Sequence, residues 1–302
     1  MKQYLKNTFW LGLLGALVLI LLATTGEQAK AWGNSDVTNI SWKKSVYTGK
    51  KFRSYEVIKA GEGEPVIGKK SFKFVAVPFD CGKDDDGPYT DCGNKFSATG
   101  GGGDRVRSEL SSSKNPFRNE IWVSFSIFIP EDYTTISPTM TSFFQIYEKG
   151  KGPNLKIEDF HGSLIAFQKI QGKEPYCGCA TSEDPHKHKL IAIDDMRGKW
   201  THFKIGTMQS KKEGKGFYRY YVNGKLVAEF DGVTSGNKSK GSYLKAGIYQ
   251  TGISRSLPFF DMPRIWVKGQ PAGKFPTQVI YMDNIFKASS LEKLNKRIDK
   301  TK

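Results

Sequence analysis

The chain has 302 residues, 38% hydrophobic and 13% aromatic, which is enough for a sizeable core in one large or two small β domains. Its 32 glycines and frequent Tyr, Phe, Val and Ile argue against a mainly helical protein. The formal net charge of +16 does not specify a fold, but it favours an anionic partner: nucleic acid, a membrane or an acidic polysaccharide. A basic surface that serves solubility is the alternative.

The N-terminus has the three parts of a secretory signal peptide. Two lysines form its basic region, Phe9 to Ala23 its apolar run, and Ala29-Lys30-Ala31 its small-x-small cleavage site. The apolar run is short for a helix that spans a bilayer, and an uncleaved anchor is the alternative. We therefore predict a signal peptide at residues 1–31, one mature domain at residues 32–302, and a secreted or periplasmic protein without membrane attachment after cleavage. An exported protein rarely meets its own cell's nucleic acid, so an acidic polysaccharide is the favoured partner.

The four cysteines fit an exported protein, in which disulfides persist. Cys81 and Cys92 bracket a loop rich in Asp and Gly and are predicted to close it. Cys177 and Cys179 form a C-G-C pair, which permits a tight bridge or two longer bridges to the first pair. The sequence does not choose among these connectivities.

The same acidic loop raises the question of a metal. Asp84 and Asp86 are weak candidates for structural Ca²⁺, because their spacing does not match an EF-hand loop, and a solvated acidic turn is the favoured interpretation. No C-x-x-C pair is present, which argues against zinc. His186 and His188 are interpreted as solvated residues of a polar loop. We expect no required cofactor.

Short segments with period-two alternation recur along the chain, separated by Gly, Asn, Asp and Pro, which is typical of a β-sandwich or barrel. Asn223-Gly224 predicts a type I′ hairpin between two of them. A short helix is predicted at Ser290–Ile298. The predicted strands are Ser71–Val77, Asp104–Leu110, Ile121–Ile129, Ser142–Glu148, Ser163–Gln168, His202–Met208, Gly216–Val222, Lys225–Phe230, Tyr243–Gln250 and Gln278–Phe286.

Three of these strands have one apolar side and one side with charged, amide or tyrosine side chains. Placed in one curved sheet, the polar sides form a cationic, tyrosine-rich groove. Such a groove suits an anionic sugar chain, because Arg and Lys pair with carboxylate or sulfate and Tyr rings offer flat apolar area. The polar sides are predicted to carry Arg105, Arg107 and Glu109, then Phe143, Gln145 and Tyr147, then Tyr243, Lys245, Gly247 and Tyr249.

The same three strands resemble signature motifs of β-jelly-roll polysaccharide lyases. Arg107-Ser108-Glu109-Leu110 resembles the R-S-E-L element of alginate lyases, and Gln145-Ile146-Tyr147 resembles their Q-I-H element with Tyr in place of His. The segment Tyr243 to Gln250 is similar to their Y-F-K-A-G-I-Y element. The resemblance implies an all-β, concanavalin-like jelly roll of two antiparallel sheets, with the site on the concave sheet.

Two longer segments look closer to the heparin lyase I-like family. One runs from Cys81 through Cys92 to the R-S-E-L element, and the other runs from Gly198-Lys199-Trp200 to Asn223-Gly224, followed by Lys245 and Tyr249. The resemblance therefore implies cleavage of a polysaccharide that contains uronic acid by β-elimination, giving unsaturated oligosaccharides. Which uronate polymer is cleaved, and whether from the end or within the chain, stays open.

Elimination across C4–C5 of a uronic acid needs a neutralised carboxylate, a base for the C5 proton and an acid for the departing O4. We predict Arg107 and Gln145 as the neutralising residues, through a guanidinium fork and an amide NH₂. Tyr249 is the predicted general acid and a candidate base, since Arg107 and Lys245 would lower its phenol pKa. An ordinary half-buried strand tyrosine is the alternative.

The identity of the base is open. Tyr147 stands where related alginate lyases carry His, and a phenol is a poor base near neutral pH. His161, within Asp159-Phe160-His161-Gly162, is the other candidate, and the heparin lyase-like relatives also use a His. On period two, His161 shares a face with Asp159 and Ser163, and the alternative is a histidine that ends a strand at a turn. His202 is expected to pack rather than to react.

Further residues are predicted to bind substrate. Lys245 is interpreted as a subsite cation, with an exposed lysine as the alternative, and Glu109 either orients Arg107 or pairs with it. Arg105, Tyr243 and, at the rim, Arg255 complete the set. We expect a monomer.

Three other functions are alternatives to the lyase. A non-catalytic, lectin-like jelly roll for acidic glycans needs no base and is the main alternative. A glycoside hydrolase needs two carboxylates facing one bond, and no E-x-D-x-E arrangement is present on a predicted strand. Nucleic-acid binding fits the charge but not the export signal, and no basic recognition helix is evident.

Overall fold

The computed structural model describes residues 37–44, 55–79, 104–112, 120–148, 152–168, 187–234, 242–264 and 271–300. Within these ranges the chain forms two antiparallel sheets of seven strands each, which confirms the predicted all-β jelly-roll sandwich. The predicted signal peptide, the four cysteines, Asp84, Asp86 and His186 lie outside the described residues.

The first sheet has the strand order β1-β4-β13-β6-β7-β8-β9, and the second has the order β12-β11-β10-β5-β14-β3-β2. A C-terminal helix, α1 (Leu291–Asp299), begins after Ser290, whose side chain caps it, and packs on the outer face of the second sheet. The strands are β1 Trp42–Lys44, β2 Tyr55–Lys59, β3 Lys70–Ala76, β4 Arg105–Ser112, β5 Ile121–Phe128, β6 Met140–Glu148, β7 Gly152–Phe160, β8 Ser163–Gln168, β9 Lys187–Ala192, β10 Trp200–Met208, β11 Gly216–Val222, β12 Lys225–Gly232, β13 Ser242–Thr251 and β14 Gln278–Ala288.

The core lies between the two sheets and is built from the apolar side of each strand. Phe125 of β5 in the second sheet stacks on Phe144 of β6 in the first, with ring centroids 4.5 Å apart. Both rings are fully buried, and burial of a large apolar side chain contributes about 2–3 kcal/mol. Because this side of each strand must face the core, the opposite side of the first sheet is left for polar residues.

All ten predicted strands are present, with ends shifted by a few residues at most. Asn223 and Gly224, at φ 48° and 86°, form the predicted hairpin turn between β11 and β12. Four strands were not predicted from sequence: β1, β2, β7 and β9. The interpretation of His188 as a solvated loop residue is wrong, because it lies in β9, where its Nε2 is 3.1 Å from Gln168 Nε2.

Two of the register shifts among β13, β6 and β7 bear on the sequence predictions. Ala246 and Tyr249 of β13 face Phe144 and Ser142 of β6, so β13 has one extra residue there. Gly247 in this bulge has φ 125°, and a Cβ on it would lie 2.1 Å from the Ser108 carbonyl oxygen, so only glycine fits. A second shift, between Ser142 and Phe144 on β6, turns both Phe143 and Phe144 into the core. The prediction that Phe143 shares a side with Gln145 is therefore wrong.

Among the described residues, no helix combines the length and apolar composition that crossing a membrane requires.

Candidate functional site

The side of the first sheet opposite the core carries most of the residues predicted to act, and we call it the polar face. Directly opposed residues of an antiparallel pair project to the same side, with Cβ atoms about 5 Å apart. Register places Tyr249 opposite Arg107, Lys245 opposite Gln145, and Tyr243 opposite Tyr147. The polar face thus gathers Arg105, Arg107 and Glu109 from β4, Ser142, Gln145 and Tyr147 from β6, and Tyr243, Lys245 and Tyr249 from β13.

Glu109 is the hydrogen-bonding centre of this group. Its Oε1 accepts a hydrogen bond from Gln145 Nε2 at 2.6 Å, and its Oε2 accepts one from Lys245 Nζ at 3.0 Å. Glu109 is 1% exposed, Gln145 3% and Lys245 7%. A carboxylate this deeply buried requires a counter-charge and hydrogen bonds to both oxygens. Glu109 is therefore placed to fix Gln145 and Lys245 in position.

Lys245 is buried, so the alternative of an exposed lysine is wrong. Burial acts to lower the pKa of Lys245, but the charge of Glu109 and its hydrogen bond outweigh burial and hold the pKa above its ordinary value. The side chain is thus an ammonium at neutral pH. Its Nζ lies 5.3 Å from the ring centroid of Tyr147 and 5.8 Å from that of Tyr249, which places one fixed cation between two phenols.

The three tyrosines of the polar face are each partly exposed. The Tyr147 and Tyr243 rings lie 5.1 Å apart between centroids and form an aromatic pair beside Lys245. Burial raises the pKa of Tyr243, although the charges of Lys245 and Arg107 act in the opposite direction. Tyr243 is therefore a neutral phenol at physiological pH, suited to hydrogen bonding and ring contact. Arg107 lies close enough to influence both Lys245 and Tyr243.

A second buried ion pair on the polar face was missed by the sequence analysis. Lys156 Nζ lies 2.6 Å from Glu158 Oε2, which also accepts a hydrogen bond from Ser142 Oγ at 3.0 Å. Both charged residues are in β7, with Lys156 opposite Gln145 on β6. Leu155 and Ile157 alternate with these charges, which is typical of a strand, but the preceding Gly152-Pro153 argues against a strand in the interior of a sheet.

Cations extend along one row of the polar face across neighbouring strands. Lys245, Gln145, Lys156, Phe167 and Lys187 are successive cross-strand neighbours on β13, β6, β7, β8 and β9. Arg105, Arg107 and Lys189 lie on the same face. Its described residues therefore include six cations, three from this row and these three, against the two carboxylates of Glu109 and Glu158. The face is electropositive, which concentrates the overall positive charge where an extended anion can lie across the strands.

His161 lies outside this group. It is exposed, with φ 52°, and forms with Gly162 a two-residue turn between β7 and β8. The prediction that it continues the face of Asp159 and Ser163 is therefore wrong, and the alternative of a turn histidine is confirmed. Its Nδ1 is hydrogen-bonded to Ser137 Oγ. Register puts its Cα about 14 Å from that of Tyr249, two strands across and three residues along.

The remaining histidine and the rim arginine have other surroundings. His202, on β10 of the second sheet, is 5% exposed, and its Nδ1 lies 2.7 Å from Ser126 Oγ. Burial lowers the pKa of His202 to about 4, so it is a neutral packing residue, as expected. Arg255 ends a 3₁₀ turn just after β13, exposed and close enough to Asp104 to act on its carboxyl. Among the described residues, no cluster of three metal-ligating side chains occurs.

Comparison with known proteins gives a family. The family model described as polysaccharide lyase matches residues 66–286, which include every residue of the polar face. No curated protein matches the sequence.

Solved structures with a similar course of the chain include three lyases. An endo-β-1,4-glucuronan lyase from the fungus Trichoderma reesei has 12% identity and a TM-score of 0.48, over 83% of this chain and 95% of that one. The alginate lyase AlgAT5, of Polysaccharide Lyase family 7, has 16% identity and a TM-score of 0.46, over 86% of this chain and 99% of that one. The alginate lyase AlyC3 has 15% identity and a TM-score of 0.42, over 78% of this chain and 90% of that one.

Proposed function

This chain belongs to the polysaccharide lyase family, and from that premise we propose that it cleaves a uronic-acid-containing polysaccharide by β-elimination, releasing unsaturated oligosaccharides. The observation that carries the proposal is the convergence of Arg107, Gln145, Lys245 and Tyr249 on one electropositive face. A uronate polymer presents one carboxylate per acidic sugar, and a row of fixed cations attracts these carboxylates, whereas a neutral glycan would offer the cations no charge to pair with.

In the proposed mechanism, the first step is neutralisation of the substrate carboxylate. Arg107 supplies a delocalised cation with a planar fork of donors, and the Gln145 amide supplies an N–H. Neutralising this carboxylate makes the C5 proton more acidic and stabilises the enolate-like charge that develops when the proton leaves. Glu109 supports the step indirectly, because its hydrogen bond fixes the amide plane of Gln145.

Proton transfer is assigned to the tyrosines. Tyr249, opposite Arg107, donates its phenol proton to O4 as the C4–O4 bond breaks, and Tyr147 is favoured as the base because it shares the face with Tyr249. The fixed ammonium of Lys245 between these rings stabilises negative charge during transfer. We also propose a closer likeness to the heparin lyase I-like family, secretion through the signal peptide at residues 1–31, disulfide bridging of the four cysteines and action as a monomer.

The test is a panel of acidic polysaccharides assayed for ultraviolet absorbance. Alginate, glucuronan, heparin and other uronate polymers are incubated with the protein, with a neutral glucan as control. Elimination leaves a C4–C5 double bond conjugated with the carboxylate, so absorbance should rise with at least one acidic polymer and not with the glucan. Binding of an acidic polymer without any rise in absorbance would instead support a lectin-like protein, which needs no base and therefore no His at the position of Tyr147.

Replacement of the turn histidine tests the assignment of the base. His161→Ala should retain most of the wild-type rate on the polymer that the panel identifies, because His161 is remote from the tyrosines by register. The measurement is kcat with the wild-type enzyme as reference and Tyr147→Phe as the comparison variant. A fall of about 10²-fold or more in His161→Ala, with Tyr147→Phe active, would transfer the base from Tyr147 to His161.

A further inference from the structure

One loop beside the polar face exposes an aromatic ring on a rigid support, and we call residues 252–261 the rim loop. It follows β13 directly, three residues after Tyr249. Phe259 within it is 71% exposed, which is the largest exposed fraction among the large hydrophobic residues that the structure describes. The next largest are Val57 at 46% and Leu226 at 40%. Single exposed apolar residues are common, so exposure alone implies nothing.

The support of the rim loop distinguishes Phe259 from an incidental surface residue. Asp104, which is 5% exposed, accepts hydrogen bonds from Ser254 N at 2.7 Å and from Ser254 Oγ at 2.6 Å. The backbone N–H of Gly252 donates to the Asp104 carbonyl at 2.8 Å. Because buried hydrogen bonds hold both sides of this connection, the beginning of the rim loop is fixed to the start of β4.

A second set of contacts fixes the middle of the loop to the chain that leads into β6. Thr139 Oγ1 donates to the Gly252 carbonyl at 2.9 Å, and Ser256 Oγ accepts from Thr139 N at 2.9 Å. Leu257 is fully buried in the core. The two residues after Leu257 are therefore presented to solvent by a constrained backbone, and little conformational entropy remains to be lost when Phe259 meets a ligand.

The position of the loop points to the class of ligand. Its anchor Asp104 immediately precedes Arg105, and Thr251 at the end of β13 lies opposite Arg105. Arg255 of the loop is also exposed. The same short loop therefore carries an exposed aromatic ring and, four residues before it, an exposed arginine. This combination suits a uronate residue, since one face of its pyranose carries C–H bonds that meet the negative face of an aromatic ring and its carboxylate pairs with arginine.

We propose that the rim loop is a sugar subsite, in which the Phe259 ring stacks on a uronate residue away from the bond that is cleaved and Arg255 pairs with that residue's carboxylate. This proposal rests on the proposed function, because it extends the same polymer beyond the polar face. The subsite strengthens the grip on long chains and takes no part in proton transfer.

The test compares Phe259→Ala, Phe259→Trp and the control Leu226→Ala, which removes an exposed apolar side chain from β12 of the second sheet. Kd for alginate, glucuronan and heparin is measured by titration, and kcat and KM are measured on the polymer that is cleaved and on its oligosaccharides of increasing length. Loss of one aromatic contact should raise Kd and KM for the polymer about tenfold in Phe259→Ala, with kcat unchanged. Phe259→Trp and Leu226→Ala should match the wild type.

Chain length gives a readout that a merely structural role would not show. Phe259→Ala should equal the wild type on the shortest oligosaccharide that is cleaved, because that substrate does not reach the rim loop. An unchanged polymer Kd in Phe259→Ala, or an equal loss in Leu226→Ala, would overturn the subsite. Absence of unsaturated product from the wild type would overturn the proposed function alone, since the Kd comparison is independent of turnover.

Discussion

Tyr249→Phe should lower kcat by about 10²–10⁴-fold while the polymer is still bound with nearly wild-type Kd. The variant retains the ring and loses only the hydroxyl that would protonate O4, so the apolar contact with the sugar survives. Tyr249 is partly exposed and lies opposite Arg107 and Ser142, which places its hydroxyl on the face where the substrate carboxylate would be held. The measurement is initial rate by ultraviolet absorbance, with binding determined in the same buffer.

A matched control separates chemistry from folding. Tyr221→Phe removes the hydroxyl of a partly exposed tyrosine on β11 of the second sheet, where its ring packs against Trp122. Both variants should unfold at the wild-type denaturant concentration, and only Tyr249→Phe should lose turnover. Full activity in Tyr249→Phe would remove this residue from the mechanism and leave O4 without its assigned acid.

The polar residues of β4 and β13 were predictable from sequence because these strands follow period two without interruption against one another. Arg107, Glu109, Lys245 and Tyr249 keep the side that alternation assigns to them. The wrong assignment of Phe143 has a specific cause: the bulge at this point in β6 sends two successive side chains to the core, and a bulge depends on the partner strands rather than on local pattern.

The second buried ion pair shows a different limit of prediction from sequence. The sequence alone suggests that Lys156 and Glu158 are solvated charges, since residues of this type are seldom buried unless paired. Their burial depends on β6 and β8 lying on either side of β7, which supplies Ser142 as a hydrogen-bond donor and the Phe167 ring beneath the ammonium. A single sequence does not contain this pairing of strands, so the contribution of β7 to the site could not be inferred from it.

The carboxylate that links β4, β6 and β13 should be the most sensitive position for stability. Glu109→Gln retains the size of the side chain but leaves the Lys245 ammonium buried without its counter-ion, and breaking a buried pair in this way costs about 3–5 kcal/mol. The measurement is the free energy of unfolding from denaturant titration at neutral pH. Asp261→Asn, which breaks the exposed ion pair with Lys274, is the control and should have no measurable effect.

A double variant distinguishes the two roles that the geometry assigns to Glu109. Glu109→Gln with Lys245→Met removes both charges, so most of the lost stability should return, because a buried pair replaced by groups of similar volume is often close to neutral. Activity should not return, since the ammonium between Tyr147 and Tyr249 is gone and the donor from Gln145 no longer meets a carboxylate. Recovery of both stability and kcat would mean that the ion pair serves folding alone; a stable Glu109→Gln single variant would contradict the burial on which the assignment depends.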